Sequence, residues 1–231
     1  MSDDHVSNDQ MPFPTPDIVG NPEPRCPCLL LLDTSGSMRG KPIAELNAGL
    51  IAFKDELTAD AMAAQRVEVG IITFGPVQVQ SEFQTPDVWM PPTLRAGGET
   101  PMGEAIERGL KMLDERKKVY KQTGLSYYRP WIFLITDGGP TDEWKNAAAL
   151  VRAGDNNDKK AFSFFTVGVE NAKMDVLGQI AVREPLKLKG LRYRDLFSWL
   201  SSSLGAVSRS KPSDAVQLNN PVTPSGWATI E

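Results

Sequence analysis

The sequence predicts an α/β fold: a doubly wound, mostly parallel central sheet with one antiparallel edge strand and helices on both faces. Three observations predict it. Apolar runs of strand length alternate along the chain with stretches of helical periodicity, the pattern that builds parallel sheets through crossover helices. The runs at 29–32, 67–74, 131–136 and 161–169 are leucine-rich, β-branched or aromatic with little alternation, as strands covered on both faces are. After 67–74, Gly75-Pro76 turns the chain, and Val77 and Val79 then alternate with Gln78 and Gln80. That pattern reads as a hairpin whose second strand is a half-exposed edge.

The chain divides into three parts. Residues 1–25 form a polar arm in which Pro12, Pro14, Pro16, Pro22 and Pro24 favour extended or disordered chain. Residues 26–208 form the folded domain, and 209–231 a polar tail in which Trp227 suggests packing against the body. With 231 residues, 41% of them hydrophobic, one sizeable core is expected rather than two.

Within the domain, 29–32 is the first strand. A helix follows over 42–57, with Pro42 near its start and Leu46, Leu50, Phe53 and Leu57 at three- and four-residue spacing. After the hairpin, 85–98 reads as a loop. Pro101 opens a second helix, on which Met102, Ala105, Ile106, Gly109, Leu110 and Leu113 form an apolar stripe. Its far face ends in Arg116-Lys117-Lys118 and Lys121, read first as a solvated last turn favoured by the helix dipole and second as a docking patch. Strand 131–136 runs into Asp137-Gly138-Gly139-Pro140. Helix 142–153, strand 161–169, a short helix over 174–181 and a short strand at 186–188 follow. Residues 194–207 close the domain as an amphipathic helix carrying Leu196, Phe197, Trp199, Leu200, Leu204 and Val207.

Composition removes several function classes. The formal net charge of -4 gives no basic face for nucleic acid or an anionic membrane. The acidic start, Met1 to His5, lacks the apolar core of a signal peptide, and no run reaches the ~18 apolar residues of a membrane span. The expectation is a cytoplasmic protein. His5, the only histidine, lies in the arm, which argues against Ser-His-Asp, Cys-His and multi-histidine zinc chemistry. Cys26 and Cys28 share a strand face at poor distance for a bridge and have no further cysteine to complete a metal site. They read as small buried hydrophobes.

Three segments end strands or open helices with oxygen side chains: Asp33-Thr34-Ser35-Gly36-Ser37, Gly97-Gly98-Glu99-Thr100-Pro101-Met102-Gly103, and Thr136-Asp137-Gly138-Gly139-Pro140-Thr141-Asp142. Alternate placement lets Asp33, Ser35 and Ser37 converge, and open α/β sheets bind ligands at the carboxyl ends of their strands. Hard oxygens gathered at one spot suit a hard divalent cation, Mg²⁺ first and Mn²⁺ or Ca²⁺ as alternatives. Each feature alone has a structural explanation: Asp33 as a helix cap, Ser35 and Ser37 as turn residues, Asp137-Gly138 as a turn. Caps do not require all three loops together. Glu99 and Asp142 lie beside the set, as loop acids or, for Asp142, as the cap of its own helix.

On Asp33-x-Ser35-x-Ser37, then Thr100, then Asp137-Gly138, the chain resembles the von Willebrand factor type A domain over about residues 26–207. The resemblance implies a Rossmann-like sheet. It also implies that Asp33, Ser35, Ser37, Thr100 and Asp137 form a metal-ion-dependent adhesion site whose open position takes an Asp or Glu from a protein partner. Cys26-Pro27-Cys28 and Gly97-Gly98-Glu99-Thr100-Pro101-Met102-Gly103 look like the bacterial tellurium-resistance branch, implying a protein kinase or phosphatase partner in a stress system. The expected function is therefore non-catalytic binding. The alternative is a Mg²⁺-dependent phosphohydrolase on a similar sheet, but Ser35 stands where the second acid of an Asp-x-Asp-x-Thr pattern belongs. Neither a phosphate-binding G-x-x-x-x-G-K-[ST] loop nor a G-x-S-x-G elbow occurs.

Overall fold

The leucine run lies at the centre of the molecule. In a computed structural model, which describes residues 20–156, 158–212 and 214–230, it forms strand β1 (Cys26–Asp33), with every residue buried. Strands β2 (Val67–Phe74) and β4 (Trp131–Thr136) flank it in parallel. With β3 (Gln78–Gln84), β5 (Ser163–Gly168), β6 (Leu186–Leu188) and β7 (Ala228–Thr229), the sheet order is β3-β2-β1-β4-β5-β6-β7. The chain winds outward from β1 to β2 on one side and from β4 to β5 and β6 on the other. The order therefore reverses between β1 and β4, the crevice where open α/β sheets place ligands.

Alternate leucines of β1 feed two cores. Leu30 and Leu32 pack with Ile71, Phe133 and Ile135 beneath helices α1 (Lys41–Ala59) and α6 (Tyr193–Ser208). Leu29 and Leu31 pack on the other face with Ile72, Ile132 and Leu134, beneath α3 (Met102–Gln122), α4 (Lys145–Gly154) and α5 (Met174–Ile180). Helix α3 approaches β1 closely at Gly109, where a Cβ would meet Leu31 Cδ2 at 2.9 Å.

The predicted sheet and its hairpin edge are present, β3 being antiparallel to β2. Three features were not predicted. Helix α2 (Ala61–Arg66) follows α1 after a break at Asp60, whose Oδ1 accepts from the Met62 and Ala63 amides at 3.0 and 3.1 Å. The predicted helix over 142–153 begins only at Lys145. Strand β7, from the tail, pairs antiparallel with β6, Leu188 opposite Ala228, so both edges of the sheet end antiparallel. Trp227 is buried against Trp199, ring centroids 5.6 Å apart.

Of the predicted arm, residues 1–19, including His5, lie outside the described residues. From Asn21 the chain is seated on the domain: Asn21 Nδ2 donates to Gln65 O at 2.7 Å, and Arg66 Nε to Glu23 Oε2 at 2.8 Å. At the amino ends of the strands, buried Glu68 accepts from Arg25 Nε at 2.9 Å, from Arg116 Nη2 at 2.6 Å and from the Tyr120 hydroxyl. Cys26 and Cys28 are buried, unbridged and on the same face. Burial, then the charge of Glu68, pushes the Cys26 thiol up to about 12. No helix among the described residues is long and apolar enough to cross a membrane.

Candidate metal centre

Strand register brings the acids together. Leu32 lies opposite Ile135 across the β1–β4 pair, so Asp33 and Thr136 leave the sheet side by side. The Thr136 hydroxyl donates to Asp33 Oδ2 at 2.5 Å, and the Ser35 amide donates to Asp33 Oδ1 at 2.8 Å. Beyond Ser35 the chain makes a 3-10 turn, Gly36–Met38. That turn carries Ser37 back over the strand end, with Ser35 Oγ and Ser37 Oγ 3.0 Å apart. The Ser37 hydroxyl in turn donates to Asp137 Oδ1 at 2.7 Å. Asp33, Ser35, Ser37 and Asp137 are thus linked in one hydrogen-bonded chain across the switch point, oxygen to oxygen from Ser35 to Asp137.

Thr100 enters from the second loop, at 97–103. Its main chain is fixed by the third, at 136–142: the Thr100 amide donates to Thr141 Oγ1 at 3.0 Å, and the Thr141 amide to Thr100 O at 3.0 Å. A Cβ at Gly138 would lie 3.9 Å from Thr100 Oγ1, which places that hydroxyl against the Asp137-Gly138 turn. All five predicted residues therefore meet at one end of the sheet. Asp33, Ser35, Thr100 and Asp137 are buried and Ser37 is exposed, so the set has a closed back and an open front.

The loops are clamped by backbone contact. The Gly97 amide donates to Thr34 O at 2.7 Å, and the Gly36 amide to Gly98 O at 3.0 Å. A Cβ at Gly75 would meet Gly97 O at 2.6 Å and Thr34 O at 2.7 Å, so no larger residue fits there. Gly98 has φ +81°, the left-handed region that glycine adopts freely.

Charge at the site is held at a cost. Burial raises the pKa of Asp33 above the ordinary carboxylate value, hydrogen bonds from Ser35 and Thr136 pull it back, and the Asp137 charge raises it again. The Tyr193 phenol on α6 is pushed up by burial, then by Asp137, Asp33 and Glu170. A divalent cation between the two carboxylates would offset their mutual repulsion. Among the described residues no group of three His, Cys, Asp or Glu could hold a metal. The donor set here is of another kind, two carboxylates and three hydroxyls.

Sequence reasoning missed two participants, Thr136 and Tyr193, and gave a third, Asp142, to the wrong helix. Thr136 holds one oxygen of Asp33; its signal was a hydroxyl at the last position of an apolar strand. Asp142 caps not its own helix but α3, its carboxylate accepting from the Gly103 and Glu104 amides at 3.0 and 2.8 Å. The following helix starts at Lys145, whose amide donates to Glu143 Oε1 at 2.9 Å. Tyr193 comes from a distant segment and carries no local signal. Glu99 is exposed beside Thr100.

The family model for the von Willebrand factor type A domain matches residues 29–188, a span holding all five oxygen-bearing residues. Among solved structures the chain is similar to the pilus adhesin SpaC from Lactobacillus rhamnosus GG, with TM-score 0.63 and 13% identity over 80% of this chain and 30% of that one. It is similar to the SpRpn10 VWA domain, with TM-score 0.50 and 14% identity over 68% of this chain and 80% of that one. It is also similar to proximal thread matrix protein 1 from the mussel byssus, with TM-score 0.54 and 15% identity over 79% of this chain. The match spans 48% of the mussel protein's length. At such identities the likeness shows the fold. Among curated proteins none matches the sequence.

Proposed function

The chain belongs to the von Willebrand factor type A family, whose members are typically protein-interaction modules, and we propose that it binds a partner's Asp or Glu carboxylate through a divalent cation. The observation that carries this reading is the oxygen chain, with Ser35 Oγ to Ser37 Oγ at 3.0 Å and Ser37 Oγ to Asp137 Oδ1 at 2.7 Å. Neighbouring ligands of an octahedral Mg²⁺ at its usual bond length lie about 2.9 Å apart. The spacing supports Mg²⁺, with Mn²⁺ and Ca²⁺ as alternatives.

In this reading Ser35, Ser37 and Thr100 offer neutral oxygens, while Asp33 and Asp137 supply the two charges that balance the ion. Neutral oxygens near the ion leave it electrophilic toward an incoming carboxylate. In this reading the module is non-catalytic: Ser35 stands where the second acid of a phosphohydrolase's Asp-x-Asp pattern belongs, and both oxygens of Asp33 are engaged in orienting hydrogen bonds, from the Ser35 amide and the Thr136 hydroxyl. The resemblance at Cys26-Pro27-Cys28 and at residues 97–103 extends the proposal to a cytoplasmic stress or tellurium-resistance system with a protein kinase or phosphatase partner.

Thermal unfolding in Mg²⁺ and in chelator tests the metal. A ligand at a hundred times its Kd stabilises by about 2.7 kcal/mol, a shift of several degrees. The shift is expected for the native chain and absent from Asp33→Ala/Thr100→Ala; equal melting with and without the ion overturns the reading. Partner capture in Mg²⁺ against chelator, followed by identification of what is released, tests the stress-system assignment.

A further inference from the structure

We propose that a polar cleft beside the metal centre seats a second acidic side chain of the same partner segment, so that the partner carries two acids close in sequence. This rests on the metal-dependent reading above. The cleft, about 220 Å³, is lined by Thr34, Thr73, Gln78, Gln80, Thr93 and Arg95, with Pro76 and Leu94. Thr34 is the chain neighbour of both Asp33 and Ser35, so its Cα lies ~3.8 Å from theirs. In this proposal a segment anchored at the ion by one side chain reaches the cleft with another.

The lining selects charge. It contains hydroxyls, carboxamides and one guanidinium, and no acid. Arg95 is exposed and makes no hydrogen bond or ion pair among the described residues. Its fork of donors suits a carboxylate. The chain carries a formal net charge of -4, so an acidic segment gains most where a cation is free to meet it.

The lining is also held in place, which lowers the ordering cost of binding. The segment bearing Arg95 is pinned on both sides. The Leu94 amide and carbonyl bond the Asn47 side chain at 2.8 and 2.9 Å, and the Gly97 amide bonds Thr34 O at 2.7 Å. Elsewhere in the lining, Gln80 Nε2 donates to Thr73 Oγ1 at 3.0 Å and to Gln78 Oε1 at 3.1 Å.

The test uses the full chain in Mg²⁺ and capped glycine-based peptides. One set carries two aspartates at spacings of one, two or three residues; in the control set the second is asparagine. At one spacing the two-acid peptide should bind about tenfold tighter than its control, the worth of one charge-assisted hydrogen bond. Arg95→Gln should abolish that advantage while leaving single-acid affinity and the Mg²⁺ melting shift as they are. Equal affinities at every spacing, or an advantage that survives Arg95→Gln, overturn the proposal. The two readings fail separately. A second-acid advantage that depends on Arg95 but persists in chelator keeps the cleft and removes the metal. A Mg²⁺ shift with no second-acid advantage keeps the metal and removes the cleft.

Discussion

Ser37 is the exposed member of the oxygen chain, and deleting its hydroxyl touches both metal affinity and folding. Ser37→Ala is expected to shrink the Mg²⁺ melting shift while costing the metal-free protein about 1 kcal/mol, the worth of its hydrogen bond to Asp137. Asp33→Asn should act in the opposite sense on the two states. It removes a buried charge that burial and Asp137 disfavour, so the metal-free protein melts no lower than the native one, yet it no longer responds to Mg²⁺. A melting curve in chelator and another in Mg²⁺ read both variants. Cys26 gives the pH counterpart. Its folded pKa, about 12, exceeds the ordinary value of 9.0, so the protonated thiol favours the fold. That contribution is whole below pH 9.0 and is lost as pH rises toward about 12. Urea unfolding between these limits should show native stability falling more steeply than that of Cys26→Ala. The five oxygen-bearing residues were legible because alternation along one loop and the ends of neighbouring strands leave them few other places to point. Thr136 and Tyr193 were not, because their roles depend on which strand and which helix lie beside them.

Asp142 shows how elements depend on one another. The first turn of α3 follows Pro101, which has no side-chain cap of its own, and two of its amides are satisfied by a carboxylate from the loop after β4. The same helix start carries Thr100 at its mouth. Asp142→Ala is expected to cost about 0.5–2 kcal/mol, the worth of a cap. It should also weaken the Mg²⁺ response, because Thr100 is held by that junction, whereas Asp142→Asn, which keeps one acceptor oxygen for the two amides, should lose about half as much. Chemical unfolding and metal titration of the two variants check this. Helices and central strands were legible from periodicity, since burial on one or both faces writes itself into spacing. Helix α2 and strand β7 were not. The first is a single capped turn or so, and the second is two residues whose strand character comes from its partner β6.

Across the whole molecule the sheet separates its charged groups by end. Asp33 and Asp137 sit at the carboxyl ends of the strands, while Glu68 sits with Arg25, Arg116 and Tyr120 at the amino ends. Pro27 lies opposite Glu68, and Asp33 is six residues further along β1, a separation of roughly 20 Å at strand rise. The lower cluster is buried: Arg25 and Glu68 are both 0% exposed. Nothing in the local sequence marks it, because a lone acid inside an apolar strand reads as a break until the fold supplies its cations. Removing one member of such a cluster leaves charge without a partner. Glu68→Gln is therefore expected to destabilise by about 3–5 kcal/mol. At this distance, with no shared partner, the loss should add to the metal effect rather than change it. The variant's melting temperature should fall steeply, while the free energy gained from saturating Mg²⁺ stays that of the native chain. A metal response that falls in proportion would mean that the two ends of the sheet are coupled through β1 and β2.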